Sequence, residues 1–311
     1  MAQRGAAVGV GNQIIVQENS AGDVLTFDGE SGNAGWNFLT PDGSGLEPVP
    51  LIDHQNLAYL TTNYGKLYCV DAITGAFQWD LQLAGSFSAP QLGAPGIIYY
   101  GSQSPYGFYA VDVVARAQAW HFDVPDLGDA TTAPALGNGR VYFVDTKNSR
   151  LFALDASSGA LVINVPVAGG AVGSPVIGVE FVYVATRSDG IAAFDAATGG
   201  ALWQAPAGTN VVQPALLASG DVVAAGTDGN AFVLDRATGA TEQVAFLGGA
   251  VSSPPIVDAA DTVYFATSVG TVAVSRALAP IWTSPLTGRI ALGDRQVIVL
   301  PRENTLAVIG E

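Results

Sequence analysis

The chain of 311 residues is 49% hydrophobic and only 13% charged, a balance that supplies a large apolar core and excludes intrinsic disorder. Its 27 acidic residues against 12 basic ones give a net charge of −15, a field that repels phosphate backbones and excludes nucleic acid as a partner. No stretch approaches the roughly 18 consecutive apolar residues of a membrane-spanning helix, so the apolar material is spread over many short segments.

The N-terminal Met-Ala-Gln-Arg-Gly leads into no apolar signal-peptide core and no lipobox cysteine, and targeting information is missing. A first strand is expected near Ala6 to Val10. The segment Thr26 to Trp36 then introduces a pattern, Asp-x-x-Ser/Thr-Gly-x-x-x-Trp, carried by Asp28, Ser31, Gly32 and Trp36. It returns complete at Cys69 to Trp79, with Asp71, Thr74, Gly75 and Trp79. The copy at Ala110 to Trp120 keeps Asp112 and Trp120 but has no glycine. A long link follows, with Asp123, Asp126 and Asp129 ahead of Pro134. Arg140, Lys147 and Arg150 come next, around one hairpin, and read as a solvated loop. Ala153 to Ile163 keeps Asp155 and Gly159 without a tryptophan, and Ala193 to Trp203 is complete again, with Asp195, Thr198, Gly199 and Trp203. Val233 to Gln243 keeps Asp235, Thr238 and Gly239. Thr271 to Val274 before Ser275, and Thr305 to Val308 before Ile309, keep only the strand that precedes the marker. Trp282 is one residue off the repeat position relative to Ser275.

The markers recur at intervals of about 40 residues, the signature of a propeller or a similar array. Within one period the strand signals are Ser174 to Ile177, Phe181 to Ala185, Ile191 to Phe194 and Leu202 to Gln204, each short and rich in β-branched or aromatic residues. No helical period competes with them. The prediction is one all-β domain over 1–311, a β-propeller of four-stranded antiparallel blades. It has eight blades, with seven as the alternative count, and an abbreviated last blade.

The motif's chemistry is structural. An aspartate at the end of a third strand accepts hydrogen bonds from the N–H groups that follow, and a glycine four residues on supplies the positive φ of a tight turn. The tryptophan on the fourth strand fills the gap between blades, with its indole N–H on a backbone acceptor. Counted by the same spacing, the tryptophan position after Ile309 falls beyond Glu311. The last blade is therefore expected to lack its outermost strand. An edge near Thr305 to Ile309 would then offer strand addition to a partner, a neighbouring copy or another segment, the plainer alternative being a tolerated three-stranded blade.

These residues resemble the tryptophan-docking motif of the pyrroloquinoline-quinone-repeat propellers, over nearly the whole chain. That family includes quinone-dependent dehydrogenases, the propeller lipoprotein of the outer-membrane β-barrel assembly machinery, and sensor domains fused to kinases. Its dehydrogenases carry a vicinal cysteine pair against the cofactor, and this chain has only Cys69, so the resemblance implies a non-catalytic member without cofactor or metal. His54 and His121 lie far apart in the repeat, too few for a zinc site. A carboxylate pair drawn from Asp123, Asp126 and Asp129 is the alternative catalytic candidate, and the same residues would otherwise form a loop for binding a partner. The function expected is a protein-interaction scaffold or sensor outside the cytoplasm. The alternative is an enzyme or ligand binder that uses the central funnel.

Overall fold

A computed structural model describes residues 4–8, 13–18, 23–29, 31–43, 50–62, 64–83, 90–93, 96–103, 106–125, 132–187, 190–251, 253–292, 298–302 and 305–309. Among these residues there is no α-helix, and none is therefore long and apolar enough to cross a membrane. The described strands form eight antiparallel sheets, taken here as blades 1–8 in chain order. Seven have four strands and the eighth has three. Each sheet runs in simple sequence order, because connections of a few turn residues can join only neighbouring antiparallel strands.

The chain divides into two compact units, residues 1–134 with 291–301 and 308–311, and residues 135–290 with 302–307. Blades 1–3 lie in the first unit and blades 4–7 in the second. In blades 2–7 the second and third strands are largely buried, as in Arg140–Asp145 and Arg150–Asp155 of blade 4. Continuous burial is expected where a sheet is covered on both sides. In the second unit, Tyr142, Val144, Leu151 and Ala153 of blade 4 pack with Val182, Val184, Ala192 and Phe194 of blade 5. In the first unit, Tyr59, Leu67 and Cys69 of blade 2 pack with Ile98, Tyr100, Tyr109 and Val111 of blade 3. Fourth strands such as Phe77–Gln82 alternate exposed and half-buried residues, as edge strands with one solvated face do.

The pairing of third with fourth strand carries a one-residue bulge at the same place in blade after blade. Cys69 opposes Trp79, Ala110 opposes Trp120, Ala193 opposes Trp203 and Ala273 opposes Trp282, and the register shifts immediately afterwards. Trp282 therefore occupies the repeat position. Its offset in the sequence comes from a turn one residue shorter. Leu278 N–H donates to Ser275 O, three residues back, where Gly199 N–H donates to Asp195 O, four back. Leu278, with φ 57°, takes the left-handed position that glycine takes elsewhere.

The first strand, Arg4–Val8, overlaps the expected Ala6 to Val10, of which Gly9 and Val10 lie outside the described residues. The last blade has the order Ala291–Leu292, Ile298–Arg302, Thr305–Ile309, so Thr305–Ile309 is an edge strand among the described residues.

Candidate functional site

The repeated turn is built around one carboxylate oxygen. Asp195 Oδ1 accepts from the N–H groups of Ala197 at 3.0 Å and Thr198 at 2.7 Å, and from the Thr198 hydroxyl at 2.8 Å. Asp235 repeats this with Ala237 and Thr238, Asp71 with Ile73 and Thr74, and Asp155 with Ser157 and Ser158. Asp28 holds the N–H and hydroxyl of Ser31, both at 2.7 Å. Asp112 is left with two N–H donors, Val114 and Ala115, because no hydroxyl residue stands at the third position. Donors that favour the charged form lower a carboxyl's pKa. The hydroxyls of Ser157 and Ser158 bring Asp155 down to about 2, and the Thr198 and Thr238 hydroxyls lower Asp195 and Asp235. Carboxylates held this way stay ionised near neutral pH and are poorly suited to moving protons.

The same turns receive the neighbouring blade. Trp36 of blade 1 donates its indole N–H to Ala72 O at 3.0 Å, and Trp203 of blade 5 donates to Arg236 O at 3.1 Å. In both cases the acceptor directly follows the turn aspartate. A β-carbon on Gly75 or Gly239 would lie 2.6 Å from ring carbons of Trp36 or Trp203 respectively, so glycine at this position makes room for the ring as well as allowing the positive φ. Ile163, at the tryptophan position of blade 4, packs in the same way over Gly199. Gly32 and Gly159 have the positive φ of the same turn, at 70° and 72°. Blade 3 departs from the rule. Arg116 stands where blades 1, 2, 4, 5 and 6 have glycine, with φ 54°, and its guanidinium lies 5.4 Å from the centre of the Trp79 ring.

A second docking residue is not singled out by the aspartate pattern. Tyr142 of blade 4 donates its hydroxyl to Ala196 O at 2.8 Å, and Tyr183 of blade 5 donates to Arg236 O at 3.3 Å, the carbonyl that Trp203 also uses. The signal was present in the sequence as a second-strand tyrosine recurring at 59, 99, 142, 183 and 264.

The remaining candidates are placed individually. Asp123 shares a hydrogen bond of 2.9 Å with His121 Nε2, and the imidazole stacks on Tyr109 with centroids 5.0 Å apart. Asp126 and Asp129 lie outside the described residues. Arg140 donates to the carbonyls of Ala196 and Ala197, so it serves blade contact. Cys69 is fully buried, and burial with the nearby Asp53 charge pushes its thiol up to about 12. Among the described residues no three His, Cys, Asp or Glu side chains are grouped to hold a metal ion.

The family described as outer membrane protein assembly factor BamB matches residues 3–93 and 107–308. The chain belongs to this family. BamB from Moraxella catarrhalis is similar in structure, with a TM-score of 0.70 and 19% identity over 84% of this chain and 78% of that one. A europium-containing methanol dehydrogenase is similar with a TM-score of 0.67 and 14% identity, over 85% of this chain and 72% of that one. The dihydro-heme d1 dehydrogenase NirN, in complex with DHE, gives a TM-score of 0.75 and 12% identity over 97% of this chain and 71% of that one. A search of curated protein sequences returned no match. At these identities the likeness shows the fold, a β-propeller of four-stranded antiparallel blades, and that fold serves dehydrogenases as well as BamB.

Proposed function

We propose that this BamB-family propeller is a non-catalytic scaffold that binds a protein partner outside the cytoplasm, and that the strand Thr305–Ile309 is a docking edge. The last sheet carries the reading. In the four-stranded blades the third strand is flanked on both sides. In the last sheet the corresponding strand, Thr305-Leu306-Ala307-Val308-Ile309, has a sheet neighbour on one side only among the described residues. An apolar strand with an unpaired row of N–H and C=O groups is a template for an added strand, whose main-chain hydrogen bonds supply affinity. The described turn aspartates support the same reading, because their carboxylates are already committed to backbone donors.

Photo-crosslinking in the native host tests this, with a photoreactive residue placed at Thr305 or Ile309 and a control at Thr241 on the fourth strand of blade 6. The reading requires adducts to a specific protein from the edge positions and none from the control. Equal adducts from all three positions, or none from the edge, would remove it.

A further inference from the structure

We propose that the cleft between blades 2 and 3 is a binding site for a small organic carboxylate with an apolar body, held by Arg116 and the indole N–H of Trp79. Both blades belong to the first compact unit, and the site arises where the docking rule breaks.

Trp36 and Trp203 lie flush on a glycine and spend their indole N–H on the carbonyl that follows the turn aspartate. Trp79 does neither. Its counterpart turn holds Arg116, which carries a side chain at the position where Gly75 and Gly239 leave room for a flush ring. No hydrogen bond to Trp79 Nε1 is found among the described residues. The ring is instead capped by the guanidinium, 5.4 Å from its centre. The gap this leaves is a cleft of about 410 Å³ whose apolar wall includes Leu57, Leu92 and Val113.

The polar lining is mixed: Arg116 and the Trp79 indole only donate, Asp53 accepts, and His54, Gln55 and Tyr59 can do either. Asp53 is occupied on both oxygens. Oδ1 takes the N–H groups of Gln55 and Leu57 at 2.8 and 2.9 Å, and Oδ2 takes the Tyr59 hydroxyl at 2.9 Å. Burial of Tyr59, aided by that bond, raises its pKa and keeps it a donor to Asp53. Arg116 makes no ion pair among the described residues. A guanidinium fork without a carboxylate, a free indole N–H and an apolar wall together match a carboxylate whose two oxygens face the fork and whose body lies along the wall. The net charge of −15 opposes anions at long range, so local contacts must supply the binding, and affinity in the millimolar to micromolar range is expected.

The test is a titration of the whole chain with phenylacetate, followed by the Trp79 indole N–H resonance in two-dimensional NMR, with phenylacetamide and inorganic phosphate as parallel probes. A saturable shift of Trp79 with phenylacetate, at least about tenfold weaker with the amide and with phosphate, is expected. Arg116→Lys is expected to weaken binding because the planar fork is lost. Arg116→Gly restores the residue found under Trp36 and Trp203. It is expected to abolish binding while raising the melting temperature, since Trp79 can then dock on the turn. Equal shifts with acid and amide would mean that the guanidinium is not the determinant. A stronger response to phosphate would assign a phosphoanion instead. Either result, or no saturable shift with any probe, overturns the proposal. Because Arg116→Gly is read by melting as well as by binding, a folding defect cannot be mistaken for loss of the site.

Discussion

Trp203 and Arg236 meet across the boundary between blades 5 and 6, the indole N–H of one donating to the main-chain carbonyl of the other at 3.1 Å, with Tyr183 donating to the same oxygen. One carbonyl thus receives two side chains from the adjacent blade, and the turn that presents it is held open by Asp235. Ala196 O is a similar receptor between blades 4 and 5, taking Tyr142 and Arg140.

Trp203→Ala is expected to destabilise the chain by about 2–3 kcal/mol, below the range for a fully buried tryptophan because the ring is half-buried. Trp203→Phe keeps most of the packing and loses the N–H donor, with an expected cost of about 1 kcal/mol. Urea unfolding of both variants is the check. An unchanged midpoint for Trp203→Ala would contradict the docking role.

Gly32 and Gly239 separate backbone strain from docking. Both have positive φ, 70° and 71°, but a β-carbon on Gly32 meets nothing within 4 Å while one on Gly239 meets Trp203. Gly32→Ala is expected to cost about 1 kcal/mol from the left-handed backbone alone. Gly239→Ala is expected to cost about 2–4 kcal/mol, strain and overpacking together. Equal costs in thermal unfolding would mean that Trp203 does not depend on the glycine.

Acid acts through the turn aspartates. The folded-state pKa of Asp155 is depressed to about 2 from an ordinary value of 3.8, and that of Asp195 is lowered too. A depressed carboxyl contributes stability above its unfolded pKa and loses it as pH falls through the folded value. Stability is therefore expected to decline as pH falls from 3.8 towards about 2, and Asp155→Asn is expected to flatten part of that decline. Melting temperatures of both proteins across this window are the measurement. Identical profiles would show that the bonds to Ser157 and Ser158 do not favour the charged form.

The Cys69 thiol, pushed up to about 12 by burial, is expected to stay protonated and unreactive towards a disulfide reagent at neutral pH until the chain unfolds. Rapid stoichiometric labelling of the folded protein would contradict its burial.

The blades were legible in the sequence because repetition supplies its own controls: an aspartate recurring with a tryptophan eight residues on leaves few alternatives to stacked antiparallel sheets. Trp282 was legible only in part, since a one-residue turn deletion shifts the sequence count while leaving the register opposite Ala273 intact. Ile163 and Arg116 show a different limit. In the sequence each is a missing tryptophan or a missing glycine, but in space one is an aliphatic that docks on Gly199 and the other a cation that caps Trp79. The docking role of Tyr142 and Tyr183 is not legible in the sequence because a tyrosine in a β-strand already satisfies strand propensity, and only the position of the hydroxyl reveals the bond to the next blade.

The binding role proposed for the last sheet is tested most directly by hydrogen–deuterium exchange at the Thr305–Ile309 amides, in the free chain and in the crosslinked complex recovered from the native host. An edge that accepts a partner strand predicts fast exchange in the free chain and at least about tenfold slower exchange in the complex, confined to this strand and its neighbour. Unchanged exchange at Thr305–Ile309, with protection appearing elsewhere on the chain, would contradict it.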